Sequence, residues 1–277
     1  MSAELLQHFL SAWNGAVEAS QSIMNYFNGK IEVMHKSDES PVTKADLEAN
    51  EIIFKHLSLT GIKIISEETV NASFDERKNE SLLWVVDPID GTKEFIKKSN
   101  HFTVNIALIQ DGYPVLGIVI APALSSGYAG IVGMGAVKVN HLEMIDDVQD
   151  LFESGISLPF EDVKNIQVVG SYSGMNTLTS AYIERIGKHI ENLSLVRVGS
   201  SLKFCLVSEG SAHFYPRLAG INEWDTAAGH AVLRASGGEV LTFDKQVLQY
   251  NKPDLFHQKF IALSAGMYKD MPSFLFE

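Results

Sequence analysis

The sequence predicts an α/β protein, with an α+β N-terminal half over residues 1–155 and an α/β C-terminal half over residues 156–277. Three observations lead there. Apolar residues recur at helical spacing close to the N-terminus. Asp111-Gly112 separates two strand-length apolar runs as a hairpin turn does. Beyond residue 165, short apolar runs alternate with helical stretches, the pattern of a layered sheet and helix arrangement.

Taken in order, Leu6, Phe9, Leu10, Trp13, Val17, Ile23, Met24 and Phe27 follow three- and four-residue steps and stop at Asn28-Gly29, which predicts an amphipathic helix. A second helix follows Pro41. Thr43 and Asp46 have the spacing of a capping box, with Ala49, Ile52, Ile53 and Leu57 behind them. Lys63 to Ser66 and Leu82 to Val86 are strand-length runs that each end on acidic residues, so carboxylates gather at strand ends. Thr103 to Ile109 and Pro114 to Ile120 form the hairpin, and further strands are expected near Gly127 to Gly133 and Ala136 to Val139. His141 to Asp162 is polar, acidic and without period, and reads as the connection between halves. Strands are then expected near Ile166 to Gly170, Ser194 to Val198 and Ala212 to Tyr215, with helices at Asn176 to His189, Leu202 to Glu209 and Thr226 to Ala235.

Composition limits the function classes. Hydrophobic residues make up 45% and charged residues 20%, the balance of an ordinary folded protein. No apolar run is long enough to span a bilayer, and Met1 to Leu10 lacks the layout of a signal peptide, which places the chain in the cytoplasm. The net charge of −12 argues against binding nucleic-acid polymers. A small anionic substrate would need metal ions held by some of the 34 acidic residues, or a few well-placed cations. The nine histidines show no zinc spacing, the glycines at 127, 130, 133 and 135 form no dinucleotide or Walker loop, and Cys205 reads as a small buried hydrophobe.

The strongest local signal is Trp84-Val85-Val86-Asp87-Pro88-Ile89-Asp90-Gly91-Thr92. A buried strand delivers Asp87 to its end, Pro88 fixes one φ and Gly91 permits a sharp turn, so Asp87 and Asp90 can face a common point. Two carboxylates that close repel unless a cation lies between them, and hard oxygen ligands suit Mg²⁺. Backbone N–H groups at Gly91 and Thr92 would offer a phosphate site beside it. Each piece also has a plain reading: Asp-Pro and Asp-Gly are turn dipeptides, Glu67-Glu68 is solvated charge, Asp225 is a helix N-cap, and Asp46 is a capping-box member.

Taken together, Asp46, Glu67-Glu68, Asp87 to Thr92 and Trp224-Asp225 resemble, in content and order, the inositol monophosphatase superfamily of metal-dependent, lithium-sensitive phosphatases. Within it, Asp90-Gly91-Thr92-Lys93-Glu94-Phe95, Gly199 to Cys205 and Tyr215-Pro216-Arg217 resemble the 3′(2′),5′-bisphosphate nucleotidase branch of the bacterial CysQ type. That branch carries Ser-Arg-Ser-His where this chain has Ser171-Tyr172-Ser173-Gly174. The resemblance implies a layered αβαβα sandwich and two or three Mg²⁺ ions, most of their ligands coming from the N-terminal half. One ion would sit on Glu67, Asp87 and the Ile89 carbonyl, and a second on Asp87, Asp90 and Asp225. Glu68 would stand behind them or hold a third ion. Thr92 with Asp46 would orient the attacking water or take its proton.

Gly91, Thr92, Lys93, Ser201, Lys203 and Arg217 would bind substrate, with Lys203 receiving a 5′-phosphate and Arg217 lying over the adenine or assisting the phosphate. The plain reading of Lys203 and Arg217 is surface cations. The implied reaction removes the 3′-phosphate of adenosine 3′,5′-bisphosphate (PAP), and of its sulfated relative PAPS, in support of sulfur metabolism. The alternative is an inositol or sugar phosphate on the same metals. The partner is a small-molecule nucleotide, and the chain would be a monomer or homodimer, free in the cytoplasm or peripheral on the inner membrane.

Overall fold

A computed structural model describes residues 2–36, 40–69, 72–160, 164–172 and 174–277. Of the segments read above, Met1, Ser173 and residues 161–163 lie outside these. The chain opens with the expected amphipathic helix, α1 (Ala3–Asn28), capped by the Ser2 side chain and closed at Gly29. A short ribbon, β1 (Val33–His35) and β2 (Pro41–Thr43), leads into α2 (Lys44–Leu57), whose capping box is formed by Thr43 and Asp46. Then come β3 (Ile64–Ser66), α3 (Phe74–Arg77), β4 (Leu82–Asp90), α4 (Thr92–Ile96), β5 (Thr103–Gln110), β6 (Tyr113–Ala121), β7 (Ser126–Ile131) and β8 (Gly135–Val139).

The 141–162 stretch departs from expectation. It contains α5 (Val148–Ser154) and β9 (Ile156–Ser157), and β9 pairs with β8 as the last strand of a seven-stranded sheet ordered β3-β4-β5-β6-β7-β8-β9. A seven-residue helix and a two-residue strand are too short to display a readable period. Only β3 and β4 run parallel in this sheet; the remaining neighbours are antiparallel.

The rest of the chain supplies β10 (Gln167–Ser171), α6 (Thr177–Ile186), β11 (Ser194–Val198), α7 (Leu202–Glu209), β12 (Phe214–Arg217), β13 (Ile221–Asn222), α8 (Ala227–Ala235), β14 (Glu239–Leu241), β15 (Phe256–His257), β16 (Phe260–Leu263) and α9 (Ala265–Asp270). The second sheet has the order β11-β10-β12-β16-β14, and β13 pairs with β15 in a separate ribbon. β14 and β16 were not foreseen from the sequence, because strands of three and four residues carry little periodic signal.

Side-chain alternation sorts the core into three layers. Along β4, Trp84 and Val86 face α1 and α2, while Leu83 and Val85 face α7 and α8. β5 and β6 repeat the division, with Val104, Ile106, Leu116 and Ile118 on the first side and Ala107 and Val119 on the second. A third cluster, including Val168, Tyr182, Phe214 and Ile261, lies between the smaller sheet and its outer helices α6 and α9. The result is the expected αβαβα sandwich, with α7 and α8 between the two sheets. Glycines let α8 seat closely on the larger sheet: a Cβ on Gly117 would lie 2.3 Å from the Ala228 carbonyl oxygen, and one on Gly130 would lie 2.8 Å from Val232 Cα. No helix of the described residues is long and apolar enough to cross a membrane.

Candidate metal centre and substrate cavity

The centre is built on an irregularity in β4. The strand does not end at Asp87 as the run of apolar residues suggested; it continues to Asp90. Asp87 pairs with Asn105 and Asp90 with Thr103, so three steps on β4 match two on β5. This bulge at Pro88-Ile89 resets the alternation. Ile89 turns into the core beneath α1 and α2, and both aspartates turn toward the α7 and α8 layer. Without the bulge, residues 87 and 90 would point to opposite faces.

Carboxylates from two other segments converge on Asp87. Glu67, directly after β3, Asp87 and Asp225, before α8, present oxygens that all lie within 4.8 Å of one another. Asp225 does not cap α8: the N-cap position is Thr226, and Asp225 Oδ2 accepts from the Asn222 N–H at 3.0 Å. Glu67 and Glu68 are not free solvated charges either, since Lys36 Nζ lies 2.8 Å from Glu67 Oε1 and 2.7 Å from Glu68 Oε1. Lys36 was missed by sequence reasoning, because a lone lysine in a polar loop carries no signal.

Burial and then the neighbouring carboxylates Glu67, Asp90, Asp225 and Asp46 push the Asp87 carboxyl well above its ordinary range. Asp225 is raised well above its range by burial, Asp90 and Glu67. Asp90 is raised by burial, a shift opposed by Lys203 and Ser201, and Glu67 is raised by burial against the pull of Lys36. Asp87 Oδ1 accepts from the Ile89 N–H at 3.1 Å, whereas buried Oδ2 has no hydrogen-bond partner among the described residues. An all-oxygen donor set with an unpartnered buried oxygen and mutually repelling carboxylates fits a divalent cation.

Asp46 serves two contacts at once. Its Oδ2 accepts from the Thr43 N–H at 2.7 Å and from the Thr43 hydroxyl at 2.6 Å, completing the helix cap. Its Oδ1 lies 3.3 Å from the Thr92 hydroxyl, which is also 3.3 Å from the Ile89 carbonyl. Gly91, between the bulge and α4, has φ +94°, and a Cβ there would lie 2.4 Å from Ser200 Oγ. Glycine is therefore required on both counts.

Ser201 is buried and its hydroxyl is fully engaged. It accepts from Asn105 Nδ2 at 2.8 Å and lies 2.9 Å from Asp90 Oδ2 and 3.0 Å from the Asp225 carbonyl. Its contact is with Asp90, not with an open cavity. Asn105, a polar residue inside the apolar β5 run, was the sequence signal for this support and was overlooked.

Beside the acidic cluster lies a cavity of about 360 Å³ lined by Asp90, Asp225, Gly91, Lys93, Lys203 and Arg217, among others. Lys93 is exposed at this cavity. Lys203 is not a surface cation: it is 7% exposed, its Nζ donates to the Ser200 carbonyl at 2.6 Å, and it lies over the Tyr215 ring. Burial lowers its pKa to about 8 against the opposing pull of Asp90. Arg217 donates to the Ala219 and Gly220 carbonyls, each at 3.2 Å. Tyr172 is exposed and packs edge-on against His101, with ring centroids 4.5 Å apart.

Comparison with known proteins places this geometry in context. The model of the inositol monophosphatase family matches residues 5–271. The 3′(2′),5′-bisphosphate nucleotidase CysQ of Escherichia coli strain K12 is 38% identical over 247 residues, spanning 87% of this chain and 93% of that protein. Its namesake in Haemophilus influenzae is 30% identical over 239 residues, 86% of this chain and 85% of that protein. Among solved structures, CysQ from Bacteroides thetaiotaomicron, a bacterial member of the inositol monophosphatase family, aligns with a TM-score of 0.87 at 38% identity, covering 94% of this chain and 98% of that one. An IMPase of Thermotoga maritima shares the fold, with a TM-score of 0.70 at 23% identity and coverage of 94% and 93%.

Proposed function

The chain belongs to the inositol monophosphatase family, and from that premise we propose that it is a magnesium-dependent phosphomonoesterase that converts adenosine 3′,5′-bisphosphate to AMP and inorganic phosphate, with PAPS as a second substrate. The observation that carries the reading is a single cavity lined both by carboxylates of the acidic cluster, Asp90 and Asp225, and by the cations Lys93, Lys203 and Arg217. A substrate with two phosphates needs two anion sites, and a protein of net charge −12 has to supply them locally.

Mg²⁺ suits the donor set. Glu67, Asp87 and the Ile89 carbonyl would hold one ion, and Asp87, Asp90 and Asp225 a second, with Glu68 behind them. When bound, the metal supplies positive charge that acidifies water and stabilises the transferring phosphoryl group.

The chain's own groups do the rest. The Thr92 hydroxyl has one hydrogen and two acceptors in reach, Asp46 Oδ1 and the Ile89 carbonyl. When that hydrogen is directed at Asp46, a Thr92 lone pair is left to orient the attacking water; as the water attacks, Thr92 Oγ1 takes its proton while its own hydroxyl proton passes to Asp46 Oδ1. Asp46 in turn is held by Thr43, so the pair is fixed before substrate arrives. Ser201 and Asn105 hold the Asp90 carboxylate. Lys203 receives the 5′-phosphate, and Arg217 assists it or lies over the adenine.

Phosphate release from adenosine 3′,5′-bisphosphate, an inositol monophosphate and fructose bisphosphate, with and without Mg²⁺, tests the reading. Preference for the nucleotide with full dependence on the metal is expected. Preference for inositol phosphate would shift the assignment to that substrate on the same site, and robust turnover in excess EDTA would exclude the mechanism.

A further inference from the structure

Two buried charges sit on either side of one turn. Arg77, on α3 between β3 and β4 of the larger sheet, is 2% exposed, and Glu223, two residues before Asp225, is 0% exposed. They form no direct ion pair with each other among the described residues; the Glu223 carboxylate has Lys252 Nζ at 3.5 Å. Instead each binds the turn at residues 251–252. Arg77 donates to Asn251 Oδ1 and to the Lys252 carbonyl, both at 2.7 Å, and its own carbonyl accepts from Asn251 Nδ2 at 3.0 Å. The Glu223 carboxylate accepts from the Asn251 N–H at 2.7 Å and the Lys252 N–H at 3.2 Å. Asn251 has φ +59°, a left-handed conformation that asparagine tolerates better than most residues.

The cation thus meets the oxygen side of the turn and the anion meets its N–H side, so the peptide dipoles lie between opposite charges. Burying two charges is costly and gives weak net stability. Such a cost is understandable if the arrangement fixes a position. What Glu223 fixes is the 221–226 segment: its carbonyl also accepts from Thr226 N, Thr226 Oγ1 and Ala227 N, closing the turn that carries Asp225. The only strand in that segment is the two-residue β13. Asp225 also comes from a different part of the chain than Glu67 and Asp87, yet its oxygen must lie within 4.8 Å of theirs.

We propose that Arg77, Asn251 and Glu223 act as a positioning latch that holds the Asp225 carboxylate at the separation from Glu67 and Asp87 that a divalent cation requires. The proposal rests on the metal reading above and adds residues outside the ligand set.

The test is calorimetric titration of the intact protein with Mg²⁺, alongside thermal unfolding, for the native chain, Glu223→Gln, Arg77→Met and a control, Ile261→Ala, in the core beneath the outer helices. Both latch variants should bind Mg²⁺ about 10- to 100-fold more weakly, the range for partners that orient a ligand. The activity of each should return to within about twofold of native kcat at saturating Mg²⁺, with KM for substrate unchanged, because the ligands themselves are intact. The control should lose stability without losing Mg²⁺ affinity. If Glu223→Gln does not fold, Arg77→Met decides, since it leaves the Asp225 segment untouched. Unchanged Mg²⁺ affinity in the folded latch variants, or an equal loss in the control, would overturn the proposal. Absence of Mg²⁺ binding by the native chain would instead remove the metal reading and the latch with it.

Discussion

Asp87→Asn is the sharpest perturbation of the acidic cluster, because it removes one charge without changing volume. Asp87 is 1% exposed, and its Oδ1 bond from the Ile89 N–H can be kept by the amide oxygen. Oδ2, which has no partner, becomes an NH₂ group that donates toward the nearby carboxylates instead of receiving a cation. Two effects of opposite sign follow. At an effective dielectric of about 20, unit charges roughly 4 Å apart interact by about 4 kcal/mol, so losing this ligand weakens metal binding by at least roughly 10³-fold. The same substitution relieves repulsion among carboxylates that lie within 4.8 Å of one another. Raised pKa values already ease part of that repulsion, so the metal-free variant should gain only a fraction of the roughly 4 kcal/mol pair interaction, about 1 to 2 kcal/mol. For a protein of this size, that is roughly 2 to 6 °C in Tm. The assays are phosphate release over a Mg²⁺ titration and thermal unfolding in EDTA. Activity should vanish while metal-free Tm rises. Near-native kcat at saturating Mg²⁺, or a fall in metal-free Tm, would refute the reasoning.

Thr92→Ala should lower kcat far more than Mg²⁺ affinity, and its loss should be non-additive with that of Asp46→Asn in a double-mutant cycle; additive losses would leave Asp46 as a helix cap alone. Lys203→Ala should raise KM for adenosine 3′,5′-bisphosphate by the equivalent of about 1.5 to 3 kcal/mol and leave a 3′-monophosphate nearly unaffected, whereas equal losses on both would assign the lysine to the fold or the metals. Because burial lowers the Lys203 pKa to about 8, raising pH through that value discharges the amine, and KM for the bisphosphate should climb there while KM for the monophosphate stays flat. Asp87 and Asp225 have folded-state pKa values raised by burial and by each other's charge, so the stability they contribute is fully present below the ordinary carboxylate range and is lost as pH rises through the raised values. In EDTA, Tm should therefore fall as pH rises from the ordinary carboxylate range toward those raised values, and added Mg²⁺ should abolish that trend; a Tm in EDTA that rises over the same interval would show that the carboxylates are not strained by their proximity.

The long, periodic elements were legible from residues alone. α1 repeats its apolar face over 26 residues, and the β5–β6 hairpin pairs two strands around Asp111-Gly112, so local pattern and tertiary role agree. The acidic residues were also visible as candidates, because carboxylates directly after apolar runs are conspicuous. Local sequence could not choose among their readings. Asp225 in isolation has the character of a helix cap, and only the placement of Asn222 and the carboxylates around it turns that side chain away from α8. Lys36, Arg77 and Glu223 carry no signal in the sequence, and Asn105, a lone polar residue in an apolar run, signals a contact without naming it, since each acquires its partner from a segment far along the chain. The bulge at Pro88-Ile89 belongs to the same class: the sequence contains the proline, but the facing of Asp87 and Asp90 is decided by how many residues β5 sets against them. Periodicity along one segment is a local property, and the chain determines it alone. The direction a carboxylate points and the charges that surround it are set by packing between segments, and that was decided only in the tertiary structure.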